Sequence, residues 1–339
     1  MQKKKILMAV IGIIIMIMAG ITLTIWIRSD KMVKGLYGKE TDQYNTYEKH
    51  YAFITKNFED SFLEEIWQGC RKKGAEQGVY VEWLGRNMDA DYAIDGLLEM
   101  AIAAKVDGII IEADEDEEIE TLIRKASEES IPVVTVMSDC YGSLRKSFIG
   151  VGNYNLGKKY GEQIVQTATP ELKKILILMD TETDEKNQSI LCNGIRDTIN
   201  NAWGEVKTDF ETVAIDSHST LSSDEDVRNL LVNMEELPEV IVCLNEKTTM
   251  SVYQAAIDYN IVGKVSILGY YDSESILRGV DKEILSSTIT VDFEKMGELC
   301  VAAILEYKET GYVSDCFLLE AEIVNHTNVK EYLENASAY

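Results

Sequence analysis

The sequence holds six cysteines, Cys70, Cys140, Cys192, Cys243, Cys300 and Cys316, and no two of them stand in C-x-x-C spacing. That absence excludes a zinc ribbon and a thioredoxin-like redox site. Cys243 sits inside the run Val-Ile-Val-Cys-Leu, where a thiol behaves as a small buried hydrophobe. Export would permit one disulfide, but the spacing names no pair. Histidine is scarcer still. His50, His218 and His326 are the whole supply, and no two are placed as ligands on one helix. No Gly-x-Gly-x-x-Gly or Gly-x-x-x-x-Gly-Lys-Ser/Thr loop follows an apolar run, so neither a dinucleotide nor a nucleoside triphosphate is indicated. A Gly-x-Ser-x-Gly elbow is also missing. The expectation is a protein without catalytic residues, metal or cofactor, and not an enzyme.

Positive charge is the other deficit. Lys and Arg number 33 against 58 Asp and Glu, a net charge of −25. Nucleic acid and anionic lipid surfaces both require a basic face, so neither is an expected partner. Hydrophobic residues at 46% and charged residues at 27% fit a globular body. The 339 residues suffice for two lobes of about 100–150 residues each.

One segment is strongly apolar. Residues 6–27 carry no charge, and at about 1.5 Å per residue they cross the roughly 30 Å hydrocarbon core of a bilayer. Lys3, Lys4 and Lys5 precede the run and, with the α-amine, form the denser positive cluster. This places the N-terminus inside and the body outside the membrane. The run is longer than a signal-peptide core of about 7–15 residues, and no small-x-small cleavage site follows it. Met18-Ala19-Gly20-Ile21 resembles a lipoprotein box, but Ile21 occupies the position of the lipidated Cys, so no thioether can form. The expected order is a cytoplasmic tail at 1–5, an uncleaved single-pass anchor at 6–27 and a polar stalk at 28–49.

From His50 onward short apolar runs alternate with amphipathic segments. Strands are expected at 51–55, 79–84, 108–111, 132–137 and 147–151, with helices at 62–77, 90–104 and 117–130. The rhythm restarts after residue 155. Strands are then expected at 175–179, 213–215, 240–244, 265–269 and 287–291, and helices at 188–201, 224–234, 248–260 and 273–280. Apolar strands each followed by a helix imply parallel sheets covered on both faces, and two consecutive sets imply two α/β lobes. In such sheets ligands bind beyond the carboxyl ends of the strands. Those ends combine carboxylates, amides and aromatics. Phe58, Phe62, Tyr270 and Tyr271 offer ring faces, while Glu112, Asp114, Asp139, Asn245, Glu246 and Asp272 offer polar contacts suited to hydroxyls. For Asp60, Asp114 and Asp272, each near a helix start, a helix N-cap role stands beside the binding role.

The body resembles the type I periplasmic sugar-binding proteins, the group of the ribose- and galactose-binding proteins, over nearly all of residues 50–325. The likeness is carried, in the family's order, by "YAFITKNFEDSFLEEIWQGC", "VDGIIIEADEDEE", "IPVVTVMSDCYGS", "SFIGVGNYNLGKKYGEQI", "VIVCLNEKTTMSVYQAA" and "VSILGYYDSESILRGVDKEILSSTITVDFEKMG". It implies two Rossmann-like lobes joined by a three-segment hinge and closing on a ligand. Lobe 1 would be 50–151 plus 292–320, and lobe 2 would be 153–291 plus 321–330. It further implies a small polar ligand, plausibly a sugar, bound through Asp60, Phe62, Glu112, Asp139, Asn153, Asn245, Tyr271 and Asp272. The partner would be an ABC-type permease or, alternatively, a signalling protein such as a histidine kinase. Several positions depart from the family. Met137 and Ser138 stand where a sugar-binding Asp and Arg are common, Gly152 replaces a crossover Asp, Leu191 an Arg and Val291 a Gln, while Tyr271 takes an aspartate's place. The usual fork of arginines opposed to carboxylates is therefore missing from those positions.

Overall fold

The computed structural model describes residues 47–336, apart from 59, 89–91, 182–184, 206, 218 and 235. The expected anchor at 6–27 and the tail at 1–5 lie outside the described residues, as does the stalk up to residue 46. Among the described residues no helix is long and apolar enough to cross a membrane.

The first lobe begins β1 (Lys49–Ile54), α1 (Ser61–Glu76), β2 (Val79–Trp83), α2 (Ile94–Ala103), β3 (Gly108–Ile111), α3 (Glu117–Glu128), β4 (Val133–Val136) and β5 (Ser147–Gly150). The second runs α4 (Asn153–Thr167), β6 (Lys174–Asp180), α5 (Glu185–Trp203), β7 (Asp209–Ile215), α6 (Thr220–Asn233), β8 (Val240–Cys243), α7 (Glu246–Asp258), β9 (Ser266–Tyr270), α8 (Glu274–Asp281) and β10 (Ser287–Thr290). The chain then returns through α9 (Phe293–Thr310) and β11 (Cys316–Leu318), and ends with β12 (Glu322–Asn325) and α10 (Val329–Ala336). One sheet has the order β11-β5-β4-β3-β1-β2 and the other β12-β10-β9-β8-β6-β7. Every pairing is parallel except β12, which runs antiparallel to β10. The chain therefore passes between the sheets three times, after Gly150, after Thr290 and after Leu318.

Strand alternation builds the first lobe's two layers. Tyr51 and Phe53 of β1 join Leu63, Ile66 and Cys70 of α1 and Phe293, Met296 and Cys300 of α9 in one cluster. The intervening Ala52 and Ile54 point the other way, to Leu97, Leu98 and Ile102 of α2 and Ile119 and Ile123 of α3. Ile109, Ile110 and Ile111 of β3 are each fully buried, which is why this strand reads as an unbroken apolar run. All six cysteines are unpaired, and Cys70, Cys140, Cys243 and Cys300 are buried.

The hydrophobic rhythm does not announce helices α4, α9 and α10 or strands β11 and β12. The strands are only three and four residues long, and β11 leaves Cys316 and Leu318 exposed, so their alternation carries little signal. Helices α4 and α9 bury glycines alongside their bulky apolar residues. A Cβ on Gly297 would stand 1.9 Å from the Ile66 carbonyl oxygen of α1, and one on Gly157 would stand 2.2 Å from that of Leu191 in α5. Glycine at these points lets the paired backbones approach.

Candidate functional site

Because nearly all strands are parallel, their carboxyl ends gather at one edge of each sheet, and the two edges face each other across a cleft. The cavity there is about 560 Å³, within the range of about 300–1,000 Å³ usual for small-molecule sites. Its walls are strand-end residues: Lys56, Asn57 and Asp60 after β1, Glu112, Asp114 and Glu115 after β3, and Met137, Ser138 and Asp139 after β4. The second lobe adds Asp180, Ser217, Asn245, Glu246 and Lys247, while Val151, Gly152 and Asn153 line it from the first crossover.

Six of the eight residues expected to bind ligand line this cleft: Asp60, Phe62, Glu112, Asp139, Asn153 and Asn245. Tyr271 and Asp272 stand outside the lining. Tyr271 has a left-handed backbone, φ 80°, and its side chain is buried against Phe62 and Phe293. Its hydroxyl donates to Glu65 of α1 at 2.5 Å. Burial raises the Asp272 carboxyl, with the nearby Thr290 side chain partly opposing. The corresponding residue of the first lobe, Met137, is also left-handed at φ 63°. In both places the N–H after a strand bonds the neighbouring strand, Met137 to Ile149 O at 3.0 Å and Tyr271 to Ile289 O at 2.7 Å. A bulky residue in this conformation is strained, and such strain gathers at functional clefts.

The polar lining is extensively cross-linked. Asp60 follows β1 at the start of α1, yet makes no capping bond there. Its carboxylate instead takes Lys247 Nζ from the opposite lobe at 2.8 Å and Asn57 Nδ2 at 2.6 Å. Asn245 does cap a helix. Its Oδ1 accepts the Thr248 N–H at 2.8 Å, and its Nδ2 donates to Ser217 Oγ at 3.0 Å, which in turn donates to Asp180. Asn153 donates to Asn187 at 2.7 Å, and Lys56 pairs with Asp114.

Sequence reasoning missed three basic residues that govern these carboxylates. Lys56 and Lys247 lie in the strand-end segments but were not singled out, because a lone lysine in a polar loop carries no pattern. Arg145 is the third. Its Nε and Nη2 grip both oxygens of Asp139 at 2.6 and 2.8 Å, while Nη1 donates to the main-chain and side-chain oxygens of Asp315 at 2.9 Å. With Thr135 Oγ1 also donating to Asp139 at 2.7 Å, that carboxylate is a fixed wall of the cleft. A guanidinium fork opposed to a carboxylate is therefore present, supplied from behind the loop.

Glu112 is different. It accepts one hydrogen bond, from the Lys56 N–H at 3.1 Å, and forms no ion pair among the described residues. Burial pushes its carboxyl above the usual range, with Lys56 partly opposing and Asp114 and Asp60 adding to the rise.

The Tyr271–Glu65 bond yields a pH expectation. Burial first, then the charges of Asp272, Glu246 and Asp292, push the Glu65 carboxyl up to about 7, while the Tyr271 hydrogen bond pulls it down. A carboxyl raised on folding favours the protonated form. Its stabilisation is present below the ordinary carboxylate range and is lost as pH rises through about 7. The melting temperature of wild type minus that of Glu65→Gln should therefore fall between pH 5.5 and pH 8. The shift should be modest, because solvent reaches Glu65. A difference that rises with pH would contradict this sign.

Such a cleft between two α/β lobes, reached from the strand ends of both and crossed by three connections, defines a two-lobe binding protein. The family model described as periplasmic binding protein domain matches residues 51–311, and the chain belongs to that family. Solved structures agree on the fold. The glucose-galactose binding protein GanP of Geobacillus stearothermophilus aligns with TM-score 0.71 and 20% identity, over 83% of this chain and 98% of its own. A solute-binding protein of Burkholderia graminis in complex with D-arabinose aligns with TM-score 0.73 and 19% identity, over 85% and 98%. A chain of the XylFII-LytSN complex aligns with TM-score 0.70 and 24% identity, over 82% and 98%. Among curated proteins none matches the chain.

Proposed function

We propose that this chain is an extracytoplasmic solute receptor that closes its lobes on a sugar or sugar-like ligand and delivers it to an ABC-type permease. The observation carrying this reading is the cavity of about 560 Å³ between the two sets of strand ends, lined by carboxylates, amides and Phe62. Carboxylates and amides match hydroxyls, and a ring face matches the apolar face of a sugar. Structural neighbours include a glucose-galactose binding protein and a protein in complex with D-arabinose. Ligand contacts to both lobes exist together only when the lobes meet, so ligand draws the population toward closure. Asp60–Lys247 already spans the cleft in this manner. In this reading lobe 1 is 50–151 plus 292–320, lobe 2 is 153–291 plus 321–330, and residues 6–27 are an uncleaved tether holding the body outside the membrane.

A second reading has the closed body recognised by a membrane signalling protein such as a histidine kinase. It is favoured by the likeness to XylFII, which is solved in a complex with LytSN. Cross-linking in membranes separates the two: a permease captured with ligand present supports delivery, and a sensor protein supports signalling.

The ligand reading is tested by thermal unfolding against monosaccharides, amino sugars and polyamines. A ligand at about 100 times its Kd adds roughly 2.7 kcal/mol. Phe62→Ala and Asn153→Ala should each weaken the binding of any ligand so found by on the order of tenfold. A screen with no shift, and no small molecule co-purifying, would remove the solute-receptor reading.

A further inference from the structure

The cleft's charge is lopsided. Among its described lining residues seven carboxylates, Asp60, Glu112, Asp114, Glu115, Asp139, Asp180 and Glu246, face two lysines, Lys56 and Lys247. Both lysines are engaged, Lys56 with Asp114 and Lys247 with Asp60 at 2.8 Å. Arg145 neutralises Asp139 from behind, through both carboxylate oxygens. Glu112 is left with a single main-chain donor and no ion pair among the described residues, although it lines the cavity.

Each hydroxyl of a neutral sugar donates one hydrogen bond and can accept two, so it pairs with a carboxylate but leaves this lining's surplus negative charge uncompensated. A uronate or phosphorylated sugar would be repelled. A ligand carrying a protonated amine supplies both the donors and the charge that this lining lacks. An ammonium against a carboxylate gives a charge-assisted bond about twice as strong as a neutral one.

Resting on the solute-receptor reading above, we propose that the cleft selects a cationic, hydroxylated ligand of the amino-sugar class, with Glu112 as the carboxylate that receives its ammonium group. Burial of Glu112 makes an unpaired negative charge costly, so a ligand cation there relieves the receptor while binding. Affinity should fall as pH drops and Glu112 takes a proton. It should fall again at high pH as the amine loses its own.

The test titrates the purified protein by calorimetry with D-glucosamine, D-galactosamine and D-mannosamine. Each is compared with its neutral parent, its N-acetyl derivative and the matching uronate. At least one amine should bind tenfold or more tighter than its parent. Its N-acetyl derivative should lose that advantage, and raised salt should shrink it. Glu112→Gln should bring the amine-to-neutral ratio close to one, whatever its effect on the neutral parent's own Kd. That parent also reports whether the variant is folded. If neutral sugars bind as tightly as their amines, or a uronate binds, the amino-sugar class is overturned and the sugar receptor stands. If neither amines nor neutral parents bind, both fall. A Glu112→Gln variant that keeps the full amine preference overturns the assignment to Glu112.

Discussion

Replacing Arg145 by Met should cost about 3–5 kcal/mol of stability, because it strands a carboxylate that, among the described residues, only the guanidinium neutralises. The Arg145 side chain is 3% exposed and that of Asp139 is 20% exposed, so water does little to screen the pair. Four hydrogen bonds leave the guanidinium: two to Asp139, which follows β4, and two to Asp315, which precedes β11. Arg145 thereby ties the cleft loop to the edge strand entered on the chain's second passage between sheets. The loss reads as a fall in urea midpoint and, at about 2–4 °C per kcal/mol for a body this large, a melting temperature lower by on the order of 10 °C. Removing both charges in Arg145→Met/Asp139→Asn should cost less than Arg145→Met alone, since no bare carboxylate remains. A double variant as unstable as the sum of its parts would show that the two residues act independently. Ligand affinity should fall in Arg145→Met as well, because a released Asp139 no longer holds its wall of the cavity.

None of that fork was visible as spacing. Arg145 lies in the turn Asp-Cys-Tyr-Gly-Ser-Leu-Arg-Lys, where no periodicity marks a charged residue as buried. Positions 138 and 191 carry no arginine, yet a guanidinium can reach a carboxylate from another direction. The architecture was far more legible. Ile109-Ile110-Ile111 and Val240-Ile241-Val242 announce buried parallel strands by composition alone, and their helices follow at regular intervals. Because parallel strands end on the same side, the cleft location follows from that order, and Asp60, Phe62, Glu112, Asp139 and Asn245 can be picked from it, while Asn153 comes from the family resemblance. What could not be picked was how each side chain is spent. Asn245 satisfies the first turn of α7, Asp60 declines its capping role for a lysine on the other lobe, and Tyr271 turns inward on a left-handed backbone. Those choices are set by tertiary contacts between residues far apart in the chain.

Gly297→Ala should destabilise the protein by about 1–3 kcal/mol or more, while the same change at Gly96 should stabilise it by roughly 0.5–1 kcal/mol. Both glycines are helical, so the difference lies in what surrounds them. A Cβ at Gly96 of α2 meets nothing within 4 Å, and alanine there only reduces the freedom of the unfolded chain. At Gly297 the methyl would stand 1.9 Å from the Ile66 carbonyl oxygen and 2.8 Å from the Cys70 nitrogen, both main-chain atoms that cannot swing aside. Gly69 of α1 faces the same contact from the other side, 1.9 Å from the Glu294 oxygen. The second lobe repeats the device, with Gly157 of α4 against Leu191 of α5 at 2.2 Å and Gly194 of α5 against Tyr154 of α4 at 2.3 Å. Under the proposed closure, the placement ties packing to lobe movement. Helix α9 begins one residue after the crossover at Val291–Asp292, and α4 begins directly after Gly152, so each clamped helix is the continuation of a hinge strand. Forcing α1 from α9 should therefore shift the hinge as well as weaken the core. Gly297→Ala is expected to lower the melting temperature and to weaken ligand affinity in proportion to the lost closure, with Gly96→Ala raising the first and leaving the second unchanged. Equal melting temperatures for the two variants would show that the α1–α9 contact has room for a methyl group, contrary to its geometry.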